Sequence, residues 1–557
     1  MHIGFVPLDD RPCTSRFAPE IAGLVGERLF LPPRELLGHF QTPGDRDGVM
    51  EWLHDVSPQL DALIVSCDML AFGGLVASRT PAVPLEEALE RLRWLHDLKR
   101  ANRGLTILGW SVITRLSITA QDRRSARYWQ YLHEYNQLPG ARTAGCLDSA
   151  PEKGLDSVEP LGTSAASARL RHLEQIIPAT ILQAYRQVRR RNHAVNRLAV
   201  ELAADGTFDY LCLCQEDAAV NGPHKAEQAA LLKLAEETGA RPRVNVYPGA
   251  DEAGMVLLTR ALLGAAGRTP QALFLCLPTA GAGIVPEYED RPLRENLLAQ
   301  AAAAGMRGRI VCSDQLQRGL PEESLLFWVN CPDPPCLGPP SSCAPPVDLQ
   351  TQREQEFETQ LDLVRGVLGR SRYALRGFGP ASVVDVRVAN GGEDAFVRRL
   401  LQKGLAGQLA AYAGWNTAGN SIGTALAMAG IAWLGVRGRR IPGRPSEWDG
   451  ALLHRQLLWQ RFTDDWLYQT VVRPRLMRFV EELHDDPYHL SSRGATLVEE
   501  RLARELIPLS QQWYRVFAGE TSAGGNEAVS GVLPQICCRL PWGRLFEVEL
   551  SVRLASG

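Results

Sequence analysis

The sequence predicts an α/β fold, a (β/α)8-type barrel, regular or distorted, with a helical C-terminal accessory region and a final strand segment. Short, unbroken apolar runs rich in β-branched residues recur along the 557 residues, and each ends in charged or polar side chains. Such runs suit strands covered on both faces, as in a parallel sheet. Stretches with helical spacing lie between them, and that alternation marks the α/β class. An open doubly wound sheet, arranged in two lobes, is the alternative.

In chain order the strand candidates begin with "MHIGFVP", which runs into Asp9, Asp10 and Arg11. "DALIVSC" runs into Asp68, "LTILGWSVIT" into Arg115, and "FDYLCLC" into Gln215, Glu216 and Asp217. "RVNVYPG" precedes Asp251 and Glu252, "QALFLCLP" precedes Thr279, "RIVCS" precedes Asp314, and "LLFWVN" lies just before Asp333. "SVVDVRVANGG" and "LAAYAGWN" follow. Helices are predicted over Pro84 to Ala101, with Pro first, acids in the first turn and bases in the last, and over Ala165 to Ala204, broken at Pro178. Residues 1–420 read as the barrel-like catalytic domain and 421–520 as the helical region. Residues 521–557 read as a Gly/Ser-rich break followed by a terminal strand.

Lys plus Arg is 60 and Asp plus Glu is 63, a net charge of -3. This balance points away from nucleic acid and from an anionic membrane surface as partners. The N-terminal stretch carries Asp9 and Asp10 where a signal peptide needs an apolar core, and the richest apolar stretch, Thr417 to Val436, is interrupted by Asn420, Ser421 and glycines. A cytoplasmic location is expected. Of the 12 cysteines, Cys67, Cys212, Cys214, Cys276 and Cys312 sit in apolar runs and read as reduced and buried. "CPDPPCLGPPSSC", Cys331 to Cys343, reads as a proline-stiffened loop, with a labile metal or disulfide as the minor alternative.

In parallel α/β folds the loops after the strands share one face. Here that face is loaded with Asp9, Asp10, Arg11, Asp68, Arg115, Glu216, Asp217, Asp251, Glu252 and Asp314. A single acid at such a place serves as a helix N-cap, an even-odds alternative for Asp68, Asp251 and Asp314. The doubled acids at 9–10, 216–217 and 251–252 exceed what a cap needs. Carboxylates gathered at one mouth repel, so they require a cation, a hydroxylated ligand or raised pKa values. No HxH, HExxH, P-loop or strand-borne GxGxxG is present, so no cofactor is expected, a divalent metal remaining the alternative reading. A sugar fits best. Tyr247 and the segment "YAGWNTAGNSIG", with Trp415, Asn416 and Asn420, supply aromatic faces and amides. Helix packing with a cap at Asn416 or Ser421 explains that segment almost as well. "RRRNHAVN" places Asn192 and Asn196 on one helical face beside Arg191, either supporting the site or forming a solvated basic surface.

The motifs "PLDDRP", "SCDMLAFGGLVASR", "RRRNHAVN", "QEDAAVNG", "VYPGADE", "YAGWNTAGNSIG" and "TDDWLYQ" together resemble a bacterial family filed as domain of unknown function 4127. That family usually carries Asp where this chain has Glu216, and it implies no activity. The adjacent acids after an apolar strand and the later Trp-Asn pair also look like the substrate-assisted N-acetylhexosaminidases. That likeness implies Glu216 as the acetamide orienter and Asp217 as general acid, with Asn416 steadying the carbonyl and Trp415 or Tyr247 lining the acetyl pocket. The expected function is therefore hydrolysis of a small sugar or glycoside, an N-acetylhexosaminide being the specific case. A metal-dependent hydrolase or lyase using the carboxylate cluster and a non-catalytic sugar-binding protein are the alternatives. The oligomeric state has no signal in the sequence.

Overall fold

The apolar runs form parallel strands, as their composition requires, and they do so in two separate open sheets. The computed structural model describes residues 1–141, 164–317, 319–333, 347–370, 380–437, 450–519 and 533–554. The Gly/Ser-rich break and most of the Cys331 to Cys343 loop lie outside them. The chain divides into two compact units. The first comprises Met1–Ser15, Leu29–Gly254 and Tyr288–Asp290; the second comprises Arg16–Arg28, Met255–Glu287 and Arg291–Gly557.

The first unit holds β1 (Ile3–Val6), β2 (Leu29–Phe30), β3 (Ala62–Ser66), β4 (Thr106–Ile113), β5 (Tyr210–Gln215) and β6 (Val244–Pro248). Their order across the sheet is β2-β1-β3-β4-β5-β6. Every residue of β1, β3 and β5 is buried, which explains why these runs carry no polar alternation. The second unit holds β7 (Gln271–Leu277), β8 (Arg307–Val311), β9 (Ser324–Asn330), β10 (Ala381–Asp385) and β11 (Ala411–Ala413), in the order β11-β10-β9-β7-β8.

Counted from its own first strand, each sheet reads 2-1-3-4-5, with a sixth strand added in the first unit. The chain lays its second strand on one side of the first strand and all later ones on the other. A barrel would add strands in one direction until the last met the first. Among the described residues neither sheet closes. The (β/α)8-type barrel expected from the sequence is not found among the described residues, which form two open parallel α/β sheets.

Helices account for most of the described residues between 418 and 517: Ala418–Arg437, Gly450–Arg461, a wider π-type stretch Phe462–Val472, Arg473–Glu482 and Ser492–Phe517. Ala418–Arg437 is the one described helix long and apolar enough to cross a membrane, and it is mostly buried within the protein. A terminal antiparallel pair, β12 (Gln535–Arg539) and β13 (Glu549–Arg553), completes the second unit.

One helix of the first unit positions the candidate site. Ala179–Ala204 buries Arg189, Arg191, Asn192 and Asn196, so "RRRNHAVN" is not a solvated basic surface. These side chains serve the carboxyl end of β4. Asn196 accepts from Ser111 Oγ at 2.6 Å, Asn192 donates to Thr114 Oγ1 at 3.2 Å, and Arg189 donates to the carbonyls of Thr114 and Arg115, each at 3.0 Å. Arg189 is neutralised by Glu227 through two bonds of 2.6 and 2.7 Å, both groups buried. A buried pair of this kind is costly to break and cheap to replace whole. Arg189→Met alone is therefore expected to destabilise the protein by ~3–5 kcal/mol in urea titration, and Arg189→Met/Glu227→Met by less than half of that. Equal losses would show that the pair carries no such role.

Candidate functional site

The first sheet reverses direction between β1 and β3, and open α/β sheets bind ligands beyond the carboxyl ends of strands at such a point. Asp9, Asp10 and Arg11 follow β1 here, and Asp68 lies in the first turn of the helix Cys67–Phe72 that follows β3. Arg115, Glu216, Asp217 and Asp251 follow β4, β5 and β6.

Arg11 is shared between two carboxylates. Its Nε and NH2 groups donate to Asp9 at 3.0 and 2.7 Å, and NH2 also reaches Asp251 Oδ1 at 2.7 Å. All three side chains are buried. Burial opposes the charge on Arg11, but Asp251 and Asp9 hold it well above its ordinary value. Burial likewise pushes Asp251 up, against the pull of Arg11, and Asp9 and Glu216 add to the rise. Thr14 Oγ1 completes the set, donating to Asp9 Oδ1 at 2.7 Å.

A second group surrounds Glu216. Arg79 donates to Glu216, and Arg79 NH1 also donates to Thr119 Oγ1 at 3.0 Å. Arg115 lies 3.7 Å from Glu216 and pairs directly with Asp217. These side chains keep a rim of exposure, 12% at Glu216 and 19% at Asp217, whereas Asp9 and Asp251 have less. Asp217 has φ +30°, in the left-handed region that non-glycine residues enter at a cost. That twist directs the chain after β5 back toward β4, where the Leu116 N–H donates to the Asp217 carbonyl at 3.3 Å.

Asp68 stands between the groups. Ser66 caps its helix, accepting from the Met69 N–H at 3.2 Å, so Asp68 is not the cap. Its Oδ2 accepts instead from the Val112 N–H at 2.8 Å. Burial pushes its pKa up to about 7 against that hydrogen bond; Glu216 adds to the rise, and Arg191 and Arg79 oppose it.

Other expected site residues face elsewhere. Asp10 turns to His39 Nδ1 at 3.0 Å and Arg34 at 3.7 Å. Glu252 is fully buried near Tyr247 and Cys214, accepts from the Ala250 N–H at 2.9 Å, and is pushed up to about 8 by burial. Gly249 makes that turn possible, with φ +141° and the Glu252 carboxyl where a Cβ would stand. Tyr247 is fully buried.

Trp415, Asn416 and Asn420 belong to the second unit. The Trp415 indole N–H donates to Thr424 Oγ1 at 3.1 Å, its backbone N–H to Ser421 Oγ at 3.0 Å, and Asn420 Nδ2 to Thr417 Oγ1 at 3.2 Å. Asn416 has φ +54° and accepts on its carbonyl from the Asn390 N–H at 2.7 Å. Asp464 and Asp465, in the same unit, pair with Arg461 at 3.0 and 3.1 Å.

Sequence reasoning passed over an aromatic group beside Arg115. Trp129 and His133 stack at 5.0 Å, Tyr288 meets both rings edge-on, and the Arg115 guanidinium lies 5.8 Å from the Trp129 ring. Burial, with Arg115 adding, lowers His133 to about 4. The helical spacing of Trp129 and His133, four apart, was the available signal. Among the described residues no three His, Cys, Asp or Glu side chains are grouped to hold a metal ion, and guanidinium groups supply the positive charge at this face.

The profile of the family described as "Protein of unknown function (DUF4127)" matches residues 3–551, and the chain belongs to that family. No curated protein matches the chain, and no solved structure does.

Arg11 is the cation whose contacts join Asp9 to Asp251, so Arg11→Met leaves both carboxylates buried without it. The Asp251 carboxyl, already raised by burial, then rises further, so the native state binds a proton that the unfolded state releases and stability falls as pH rises. The variant is expected to lose ~3–5 kcal/mol at pH 8 and distinctly less at pH 5, read from denaturant midpoints. A loss independent of pH would show that Arg11 acts by packing alone.

Proposed function

We propose that this chain is a cytoplasmic glycoside hydrolase whose first unit acts on a small sugar or glycoside, an N-acetylhexosaminide by substrate assistance being the specific case. The observation that carries the proposal is the buried Asp68 beside Glu216, at a strand-end face where carboxylates and guanidiniums alternate. Hydroxyl groups satisfy both kinds of partner, and burial strengthens each bond they make.

The geometry favours particular roles. Glu216 is fixed by Arg79 and Arg115, which suits the orienter of an acetamide N–H. Asp217, paired with Arg115, is a poor proton donor, because an ion pair favours the ionised carboxylate. Asp68, raised by burial to about 7, is protonated in a sizeable share of molecules at neutral pH, and the proposal assigns it the general acid that protonates the leaving oxygen and then activates water. Asp9, Arg11 and Asp251 form a fixed polar wall for sugar hydroxyls. Tyr247 has no part in this version, being enclosed. The nine cysteines described are all free thiols, in keeping with a reducing compartment.

The test is turnover of nitrophenyl glycosides, including N-acetylhexosaminides. The wild type is expected to release nitrophenol, with kcat falling as pH rises above about 7, because the protonated form of Asp68 is required. Asp68→Asn is expected to lower kcat by ~10²–10⁴-fold on glycosides with poor leaving groups and less on nitrophenyl ones, which need little protonation. Ligand-induced thermal stabilisation without turnover would convert the reading to a binding protein. Neither turnover nor binding, in a folded sample, would sink it.

A further inference from the structure

Past β4 the chain brings a set of aromatic side chains up to the acids of the first unit. The helix Arg123–Gln137 begins at Asp122, whose carboxylate accepts from the Ser125 N–H at 2.6 Å. Two bonds tie this helix to the residues that leave β4. Ser117 Oγ donates to the Trp129 carbonyl at 2.6 Å, and Asn136 Nδ2 donates to the Leu116 carbonyl at 2.7 Å. Leu116 is itself bonded through its N–H to the Asp217 carbonyl. Trp129 and His133, about one turn apart, are therefore held beside the strand end that carries Asp217. Tyr288 arrives from a distant part of the chain, and its carbonyl accepts from the Ala218 N–H at 2.8 Å. It adopts φ +64°, a conformation that costs energy for any residue but glycine. Three aromatic side chains thus converge on the residues next to Glu216 and Asp217.

Other residues seat this helix. Leu132 and Tyr135 join Leu173, Ile177, Leu182 and Tyr185 in a buried cluster. Trp129 and Tyr288 lie outside that cluster and are only half-buried, whereas Trp110 and Tyr247 of the same unit are enclosed. The rings pack on one another instead. The Trp129 and His133 planes are 7° from parallel, and Tyr288 meets each ring at 6.4 Å. His133 backs one face of the indole, which leaves its other side and rim, with Tyr288, to meet a ligand. His133, lowered to about 4 by burial with Arg115 adding, is neutral at physiological pH, and the Arg115 charge faces Asp217. The surface that these rings offer is flat, mostly apolar and uncharged. Such a surface suits the C–H face of a sugar ring, while the acids and guanidiniums beside it suit hydroxyl groups.

We propose that Trp129, His133 and Tyr288 form a platform for a second sugar ring, bonded to the one held at Glu216 and Asp68, so that the ligand of the first unit is a disaccharide or longer. The proposal deepens the glycosidase reading and rests on it for the ligand being a sugar. A neighbouring ring adds contact area without touching the reacting atoms, so its contribution can be separated from the chemistry.

Calorimetric titration of the full-length chain tests this, in the wild type and in Asp68→Asn, where a bound glycoside persists. The probes are N-acetylglucosamine, N,N′-diacetylchitobiose, glucose and cellobiose. At least one disaccharide is expected to bind tenfold or more tighter than its own monosaccharide. Trp129→Leu and Tyr288→Leu, which keep apolar bulk, are each expected to cut that advantage to threefold or less. Trp129→Phe, which keeps an aromatic face, is expected to retain most of it. Disaccharides that bind no tighter than monosaccharides would overturn the proposal. So would an advantage that survives both leucine variants, or no binding of any of the four sugars at millimolar concentration by either form. The glycosidase reading fails separately. Turnover of nitrophenyl monosaccharides without a disaccharide advantage sinks the platform alone, whereas a Trp129-dependent advantage with no turnover of any glycoside sinks the hydrolase alone.

Discussion

The first unit depends on the sharing of Arg11 between Asp9 and Asp251. Those acids follow β1 and β6, strands with β3, β4 and β5 between them. Across a flat sheet that separation is ~19 Å, at ~4.8 Å per strand. A guanidinium contacts both only if the chain after β6 folds back over the strand ends. Gly254 shows it doing so, because a Cβ there would meet the Phe5 and Trp110 rings of β1 and β4. This return brings Asp251 within electrostatic reach of Glu216, so acids far apart in sequence act on one another. Without a shared cation the same crossing would press buried carboxylates together at a cost of several kcal/mol.

The two sheets repeat one plan with different chemistry. Each places its first strand inside the sheet and reverses beside it, and each puts polar side chains at the reversal. In the first unit the acids outnumber their guanidiniums and one of them, Asp68, is raised toward neutral pH. In the second, Asp333 and Glu393 are tied to Arg353 and Arg387 in a closed ring. Strand order fixes where a crevice forms. The side chains after the strands decide what it holds.

Much of the local structure was legible in the sequence. The apolar runs ending at Asp9, Asp68, Arg115 and Glu216 are strands, and Pro84 and Pro178 stand where the helices Leu85–Ala101 and Ala179–Ala204 begin. Periodicity and proline chemistry act over a few residues, so they survive without tertiary information. Closure was not legible, because strand runs look alike whether successive strands add on one side or on both. The burial of Arg189 and Arg191 was hidden for a related reason. Three consecutive arginines read as a wet surface until Glu227 and the carbonyls of residues 78, 114 and 115 arrive from elsewhere in the chain. The acid-rich face was visible as doubled carboxylates, but which members turned away was not. Asp10 goes to His39, and Glu252 folds under the glycine turn, by contacts that no spacing encodes. The ring around Asp333 and Glu393 carried the same signal of charge after a strand, though Arg353 reaches Asp333 from 20 residues away.

Burial lifts Asp68 toward neutral pH, and the count of charges at the first face runs the same way. Among the described residues of the first face, Asp9, Asp68, Glu216, Asp217 and Asp251 interact with the guanidiniums of Arg11, Arg79, Arg115 and Arg191. Five carboxylates face four cations, and a mostly buried cluster pays heavily for an unmatched charge. One bound proton removes the excess. Asp9 and Asp251 share Arg11, Glu216 has Arg79 and Arg115, and Asp217 has Arg115. Asp68 alone makes no direct ion pair in this set; its bonded partner is the Val112 amide, and Arg191 spends its N–H groups on the Ser78, Thr80 and Val83 carbonyls and on Asn192. Asp68 is thus the member of this set whose ionised form faces no direct ion-pair partner among these guanidiniums. In the proposed reading, a carboxyl raised toward neutral pH among charged neighbours suits the general acid better than the ion-paired Asp217 does.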